Sequence, residues 1–234
     1  MKETGIAQGA RIHVVDCTLR EGAQAPGVAF STQATLDIAR VLDGAGVGTI
    51  EVGHPCVSPV EFERVSRIAS AGLRAIILAH ARAAQRDVEA VARAGADAVG
   101  IFVGVNALSL AVRLRRDEAE ILSMVDGSVR LARRLGLAVR LTIEDASRTP
   151  FPALRRAYEV ALDAGADRIC FADSVGIMTP FEVRNRIDEL RAFFPTTPLE
   201  VRVHDDRGWA MANALAAVAA GAVLGIALLG FLAG

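Results

Sequence analysis

Three cysteines in 234 residues, Cys17, Cys56 and Cys170, stand far apart with no CxxC pair. That spacing argues against a disulfide framework and a zinc ribbon, so the three read as reduced thiols of a cytoplasmic protein. Aromatics are scarce at 5% while apolar residues reach 52%. Ala, Val and Leu therefore fill the core, as expected where helices pack closely on a parallel sheet. Charge of one sign is not in excess: 26 Lys plus Arg oppose 27 Asp plus Glu. Arg113, Arg115 and Arg116 cluster, but no basic run forms a stripe that tracks phosphates, so nucleic acid is not an expected partner. Residues 1–11 carry Lys2, Glu3 and Arg11 without an apolar core. They do not read as a signal peptide and are set apart as an extension of a single domain over 12–234. No GxGxxG follows the first apolar run, which counts against a dinucleotide fold. Charge is also missing after Arg207, through Gly234. That length could span a bilayer, but residues 209–222 read as an Ala-rich helix ended by Gly221, so no membrane partner is expected.

What is present is a repeated unit. Short apolar runs at 12–15, 49–52, 75–78, 98–105, 138–143, 168–172, 199–203 and 225–229 alternate with amphipathic, Ala- and Arg-rich segments of helical length. Small-residue stops ending in Gly46, Gly72, Gly95, Gly136, Gly165 and Gly221 precede most of them. Glycine just past a helix end supplies the left-handed cap. Eight strand candidates and seven helix candidates in alternation predict βα units and a parallel sheet. The fold class is α/β, and the count favours a (βα)8 TIM barrel over an open doubly wound sheet. The last helix is absent from this pattern, so the barrel domain is expected to be incomplete at its C-terminus. An uncovered last strand would expose apolar surface, which favours association.

Polar residues follow the runs. Arg20, Glu21 and Gln24 follow the first, His54 the second, His80 and Arg82 the third, and Asn106 the fourth. Glu144 and Asp145 follow the fifth, Asp173 and Ser174 the sixth, and His204, Asp205 and Asp206 the seventh. In a barrel these strand ends converge on the face that carries active sites. Arg20 beside Glu21 is costly to bury unless both are used. Bland alternatives stand beside each. Arg20–Glu21 could be a structural ion pair, His80 a satisfied strand-end histidine, and Glu144 and Asp145 helix-start acids, the favoured role for Asp145. Ser147 fits an N-cap. His54 and Cys56 receive no role.

The segment Asp16-Cys17-Thr18-Leu19-Arg20-Glu21-Gly22-Ala23-Gln24-Ala25-Pro26-Gly27 resembles the signature of homocitrate synthases. These belong to the isopropylmalate/homocitrate/citramalate synthase (DRE-TIM metallolyase) family of metal-dependent barrels. Further matches follow in order: Glu51-Val52-Gly53-His54-Pro55, His80-Ala81-Arg82, Glu144-Asp145-Ala146-Ser147-Arg148, the stretch from Phe171 to Pro180, and His204-Asp205-Asp206. The resemblance implies an acyltransferase that condenses acetyl-CoA with a 2-oxo acid held on a divalent metal, Mg, Mn or Zn. The best match is 2-oxoglutarate, giving homocitrate. It implies Glu21 and His204 as metal ligands, Arg20 stabilising charge at the ketone oxygen, and Glu144 near the acetyl methyl for proton transfer. Gln24, His80, Arg140 and Ser174 would hold the 2-oxo acid. A cytoplasmic homodimer in amino-acid biosynthesis is expected.

Two departures qualify the resemblance. The family carries a His-x-His pair at the end of strand seven, but this chain reads Val201-Arg202-Val203-His204. A guanidinium has no lone pair to donate and stays protonated. The family's Gly-Glu-Arg segment after strand eight is also missing from 225–234. These departures define an alternative: a metal-free, degenerate barrel that binds a carboxylate ligand or a partner, with Arg202 in the place of a metal-ligand histidine. A lyase or aldolase of the same superfamily is a weaker option.

Overall fold

The computed structural model describes residues 12–222. Among these residues seven strands alternate with seven α-helices. The strands are β1 (Val15–Asp16), β2 (Thr49–Glu51), β3 (Ile76–Arg82), β4 (Ala98–Val103), β5 (Ala138–Ile143), β6 (Arg168–Asp173) and β7 (Leu199–Val203). The helices are α1 (Thr32–Gly44), α2 (Pro59–Ala69), α3 (Gln85–Arg93), α4 (Glu118–Arg134), α5 (Phe151–Asp163), α6 (Pro180–Phe193) and α7 (Ala210–Ala219).

Every strand pairs in parallel with its sequence neighbour, in the order β1 to β7. The winding never reverses, so no switch point of a doubly wound sheet exists among the described residues. The sheet is also strongly curled. In a flat sheet β2 and β7, five steps apart, would be separated by roughly 24 Å at the usual strand spacing. Instead Arg202 on β7 reaches Glu51 on β2 at 3.2 Å. Arg140 on β5 bonds both Glu51, at 2.8 Å, and Glu200 on β7, at 2.7 Å. Only closure toward a barrel brings these side chains together, and the architecture is that of a (βα)8 TIM barrel. The candidate eighth strand, 225–229, and the extension 1–11 lie outside the described residues.

The helices start where local chemistry dictates. Ser58 accepts from the amide of Glu61 ahead of α2, and Pro59 fills its first turn. Asp117 with Glu120, and Thr179 with Glu182, form reciprocal capping boxes at α4 and α6. These satisfy amides that the helix itself leaves without partners. The glycine stops behave as expected: Gly136 after α4 has φ +81° and Gly221 after α7 has φ +95°. The core between sheet and helices is aliphatic, with Ile50, Val99, Leu141, Ile169 and Val183 fully buried.

Strand bounds differ from five of the apolar runs, three of them in ways that bear on the site. The run at 12–15 contributes only its end to β1, because Ile12 and Val14 are exposed. β3 extends to Arg82, so His80 and Arg82 lie within the strand; the ladder with β4 continues in register through Arg82 opposite Phe102. Asp173 likewise closes β6 and is fully buried.

Candidate active site

A cavity of about 560 Å³ opens at the carboxyl ends of the strands. Seven of the eight site residues expected from sequence line it: Arg20, Glu21, Gln24, His80, Glu144, Ser174 and His204. Arg20 and Glu21 are held there by the turn after β1. The carbonyl of Cys17 accepts from the amides of Arg20, Glu21 and Gly22, at 3.1, 2.8 and 3.3 Å. Asp16 ties back the amide and hydroxyl of Thr18. A short 3-10 turn over Gly22–Gln24 then presents Gln24.

The eighth residue, Arg140, stands apart: its side chain has no exposure and lies outside the cavity lining. Side chains alternate along a strand, which puts Glu51, Arg140 and Glu200 together in the barrel interior. Room for the guanidinium comes from Gly100, Arg140's register partner on β4: a Cβ there would lie 2.7 Å from Arg140 Nη2. Glu51 is the hub. It receives Arg140 at 2.8 Å, His80 Nε2 at 3.1 Å, Arg202 at 3.2 Å, and Arg20 through its Nε. Burial alone would raise the Glu51 carboxyl; His80, Arg20 and Arg140 overcome this and hold it well below the usual range. Burial also raises the Glu200 carboxyl, against the pull of Arg140.

His80 Nε2 lies between Glu51 and Arg140 Nη2, at 3.1 and 2.9 Å. The nitrogen donates to the first or accepts from the second, not both. Contact with Glu51 favours a charged ring, but burial prevails and lowers its pKa to about 4. His80 is therefore neutral at pH 7. An unfolded histidine titrates near 6.5, so between pH 4 and 6.5 the unfolded chain binds more protons, and stability rises with pH across that window. Acidification from pH 6.5 to 4 is expected to cost up to about 3 kcal/mol through this group. Urea midpoints measured against pH for wild type and His80→Gln check it: the wild-type curve falls more steeply below pH 6.5.

Glu144 sits at the rim, its Oε2 2.5 Å from Arg113. Asp145 corrects the sequence reading in part. It holds the N-cap position of a short 3-10 turn with φ +53°, but its carboxylate makes no cap bond and accepts from Asn106 and Arg148 instead. Its amide donates to Ser174 Oγ at 3.1 Å, which links the loops after β5 and β6. Ser147 is not an N-cap: it lies inside that 3-10 turn, and α5 begins only after Pro150. His54, given no role from sequence, lines the cavity and bonds buried Asp87 at 2.8 Å. Arg82 grips the same carboxylate at 2.7 and 2.9 Å. Sequence reasoning does not find Glu51, Glu200 or Asp87. The available signal is a charge inside an apolar run, or an acid in the first turn of a helix, and neither names a partner.

The metal implied by resemblance requires donors around Glu21. Instead, the Glu21 carboxylate is bonded by Arg20 and by Arg202 Nη2 at 3.1 Å, with His204 Nε2 at 3.9 Å. Cys17, beside Arg202 at 3.8 Å, is held by burial as a thiol rather than a thiolate. Among the described residues no three His, Cys, Asp or Glu groups are placed to hold a metal ion. The described residues around Glu21 do not fit a divalent cation.

A curled parallel sheet with a polar cavity at its carboxyl strand ends defines a barrel of the enzyme-site type. The chain belongs to the HMGL-like family, whose model matches residues 11–230. Within it the chain is homocitrate synthase-like. It is 38% identical over 218 residues to a homocitrate synthase of Saccharolobus islandicus (strain M.14.25 / Kamchatka #1), covering 92% of this chain and 47% of that protein. It is 39% identical over the same length and shares to a homocitrate synthase of Saccharolobus solfataricus. The chain thus spans about half the length of the curated relatives it matches. Among solved structures, an HMG-CoA lyase from Bacillus subtilis superposes with TM-score 0.82 at 20% identity, covering 93% of this chain and 76% of that one. The carboxyl transferase domain of Rhizobium etli pyruvate carboxylase gives 0.71 at 19% identity, covering 94% and 40%. At such identities these two structures speak for the fold alone. No helix of the described residues is long and apolar enough to cross a membrane.

Proposed function

We propose that this chain carries the barrel chemistry of an acyltransferase that joins the acetyl group of acetyl-CoA to a 2-oxo acid, with 2-oxoglutarate the best match. One observation carries this reading. A single cavity brings together a cation at its floor (Arg20), a carboxylate at its rim (Glu144) and neutral donors (Gln24, Ser174, His80). Arg20, with 13% side-chain exposure, would face the ketone oxygen and stabilise the charge that develops there. Glu144 would take a proton from the acetyl methyl once Arg113 gives way. That contact is half-exposed and therefore contributes little. The carbon so activated adds to the ketone carbon, the ketone oxygen takes up a proton to become a hydroxyl, and water then cleaves the thioester, its hydroxyl going to the acyl carbon and its proton to the sulfur of CoA. Support for a 2-oxo acid as substrate comes from the homocitrate synthase relatives.

A second reading is favoured by Arg202 on Glu21: a barrel that holds a carboxylate ligand without turning it over. Release of CoA from acetyl-CoA, followed with a thiol reagent over pyruvate, 2-oxoisovalerate and 2-oxoglutarate, decides between them. The assay is run with and without Mg, Mn or Zn. Turnover with 2-oxoglutarate, preferred by about tenfold or more, is expected. No turnover with any acid would sink the condensation reading and leave the second.

A further inference from the structure

We propose that Arg202 occupies the electrostatic place of a divalent cation, so that the site needs none and takes the carboxylate of its ligand on Arg20 and Arg202. The ligand clause rests on the function proposed above; the cation clause does not.

Glu200 and Arg202 alternate along β7 and His204 follows directly after it, so the three share one inward face. Arg202 is nearly buried, with 7% side-chain exposure, yet it lines the cavity. Its two terminal nitrogens are both engaged. Nη2 lies 3.1 Å from Glu21 Oε2, and Nη1 lies 3.2 Å from Glu51 Oε1. A guanidinium in that position cannot ligate a metal and keeps its charge at any working pH. A divalent ion shared by Glu21 and His204 would be a near neighbour of this fixed positive charge and would have to displace it from Glu21. The wider cluster is already balanced: Arg20, Arg140 and Arg202 face Glu21, Glu51 and Glu200. Two further positive charges would have no buried counter-charge, a costly arrangement. An anionic ligand instead meets two guanidiniums at the cavity floor that it would share with Glu21 and Glu51, since each carries five N–H donors and can serve more than one carboxylate.

The test uses the full chain, dialysed against EDTA and then metal-free buffer. Metal content is read by plasma mass spectrometry, and binding of Mg, Mn, Zn and 2-oxoglutarate by calorimetry. The expected result is well below ~0.1 ion per chain, with 2-oxoglutarate affinity equal within about twofold in EDTA and in Mg. Arg202→His is expected to gain metal affinity by about tenfold or more, while Arg202→Lys, which keeps the charge, stays metal-free. Roughly one ion per chain surviving dialysis of the wild type, or 2-oxoglutarate affinity rising about tenfold with metal, would overturn the proposal, whatever the variants do. A chain that binds neither metal nor any 2-oxo acid would uphold the cation clause and overturn the ligand clause.

Discussion

Arg140→Met lowers folding stability by about 3–5 kcal/mol, read as a drop in the urea midpoint at pH 7. The side chain has no solvent exposure, and its loss leaves Glu51 and Glu200 buried together without the cation between them. Two carboxylates without that partner must either repel or take up protons. The deficit is therefore expected to shrink when Glu51→Gln and Glu200→Gln are added, since neutral amides cost less to bury than unpaired charges. Gly100→Ala provides an independent check. Its Cβ would stand 2.7 Å from Arg140 Nη2, so it destabilises the wild type. It should destabilise the Arg140→Met background less, a coupling that a double-mutant cycle measures. Equal losses in both backgrounds would show that Arg140 does not fill that space.

Arg20→Ala weakens 2-oxo acid binding by about 100-fold, or ~2.7 kcal/mol, measured by calorimetry. Where turnover is seen, kcat should fall by about 10²–10³. The guanidinium bridges Glu21 and Glu51 and is the cation of the β1 turn that faces the cavity. Arg20→Lys should recover folding but not affinity, because an ammonium cannot reproduce a fork shared between two carboxylates and a ligand. A loss of affinity confined to the unfolding of the variant would show as restored binding in the Lys form, and would remove Arg20 from the binding machinery.

Much of the site is legible in the order of residues along the chain. The alternation of apolar runs with helical segments is a local pattern, and so is the placement of polar residues just after each run. Arg20, Glu21, Gln24, Glu144, Ser174 and His204 are strand-end residues, and a parallel barrel delivers strand ends to one face whatever its details. Arg202 stands out in the same way, as a cation where a lone pair is wanted. Arg140 escapes such reasoning because its neighbours in sequence are apolar and its partners are 89 and 60 positions away. Asp145 and Ser147 mislead because an acid or hydroxyl near a helix start looks like a cap, and only the positive φ at Asp145 redirects the chain.

Strand and helix order, the glycine stops and the loop chemistry at the cavity rim are written in short-range patterns of residue type, because side-chain periodicity and backbone preference act over a few residues. The pairing of Glu51 with Arg20, Arg140 and Arg202, the neutral state of His80, and the bonding of a guanidinium to Glu21 where the family pattern wants a metal were decided only by the curl of the sheet. Each depends on β1, β2, β5 and β7 meeting inside one barrel, where burial makes every charge find its partner.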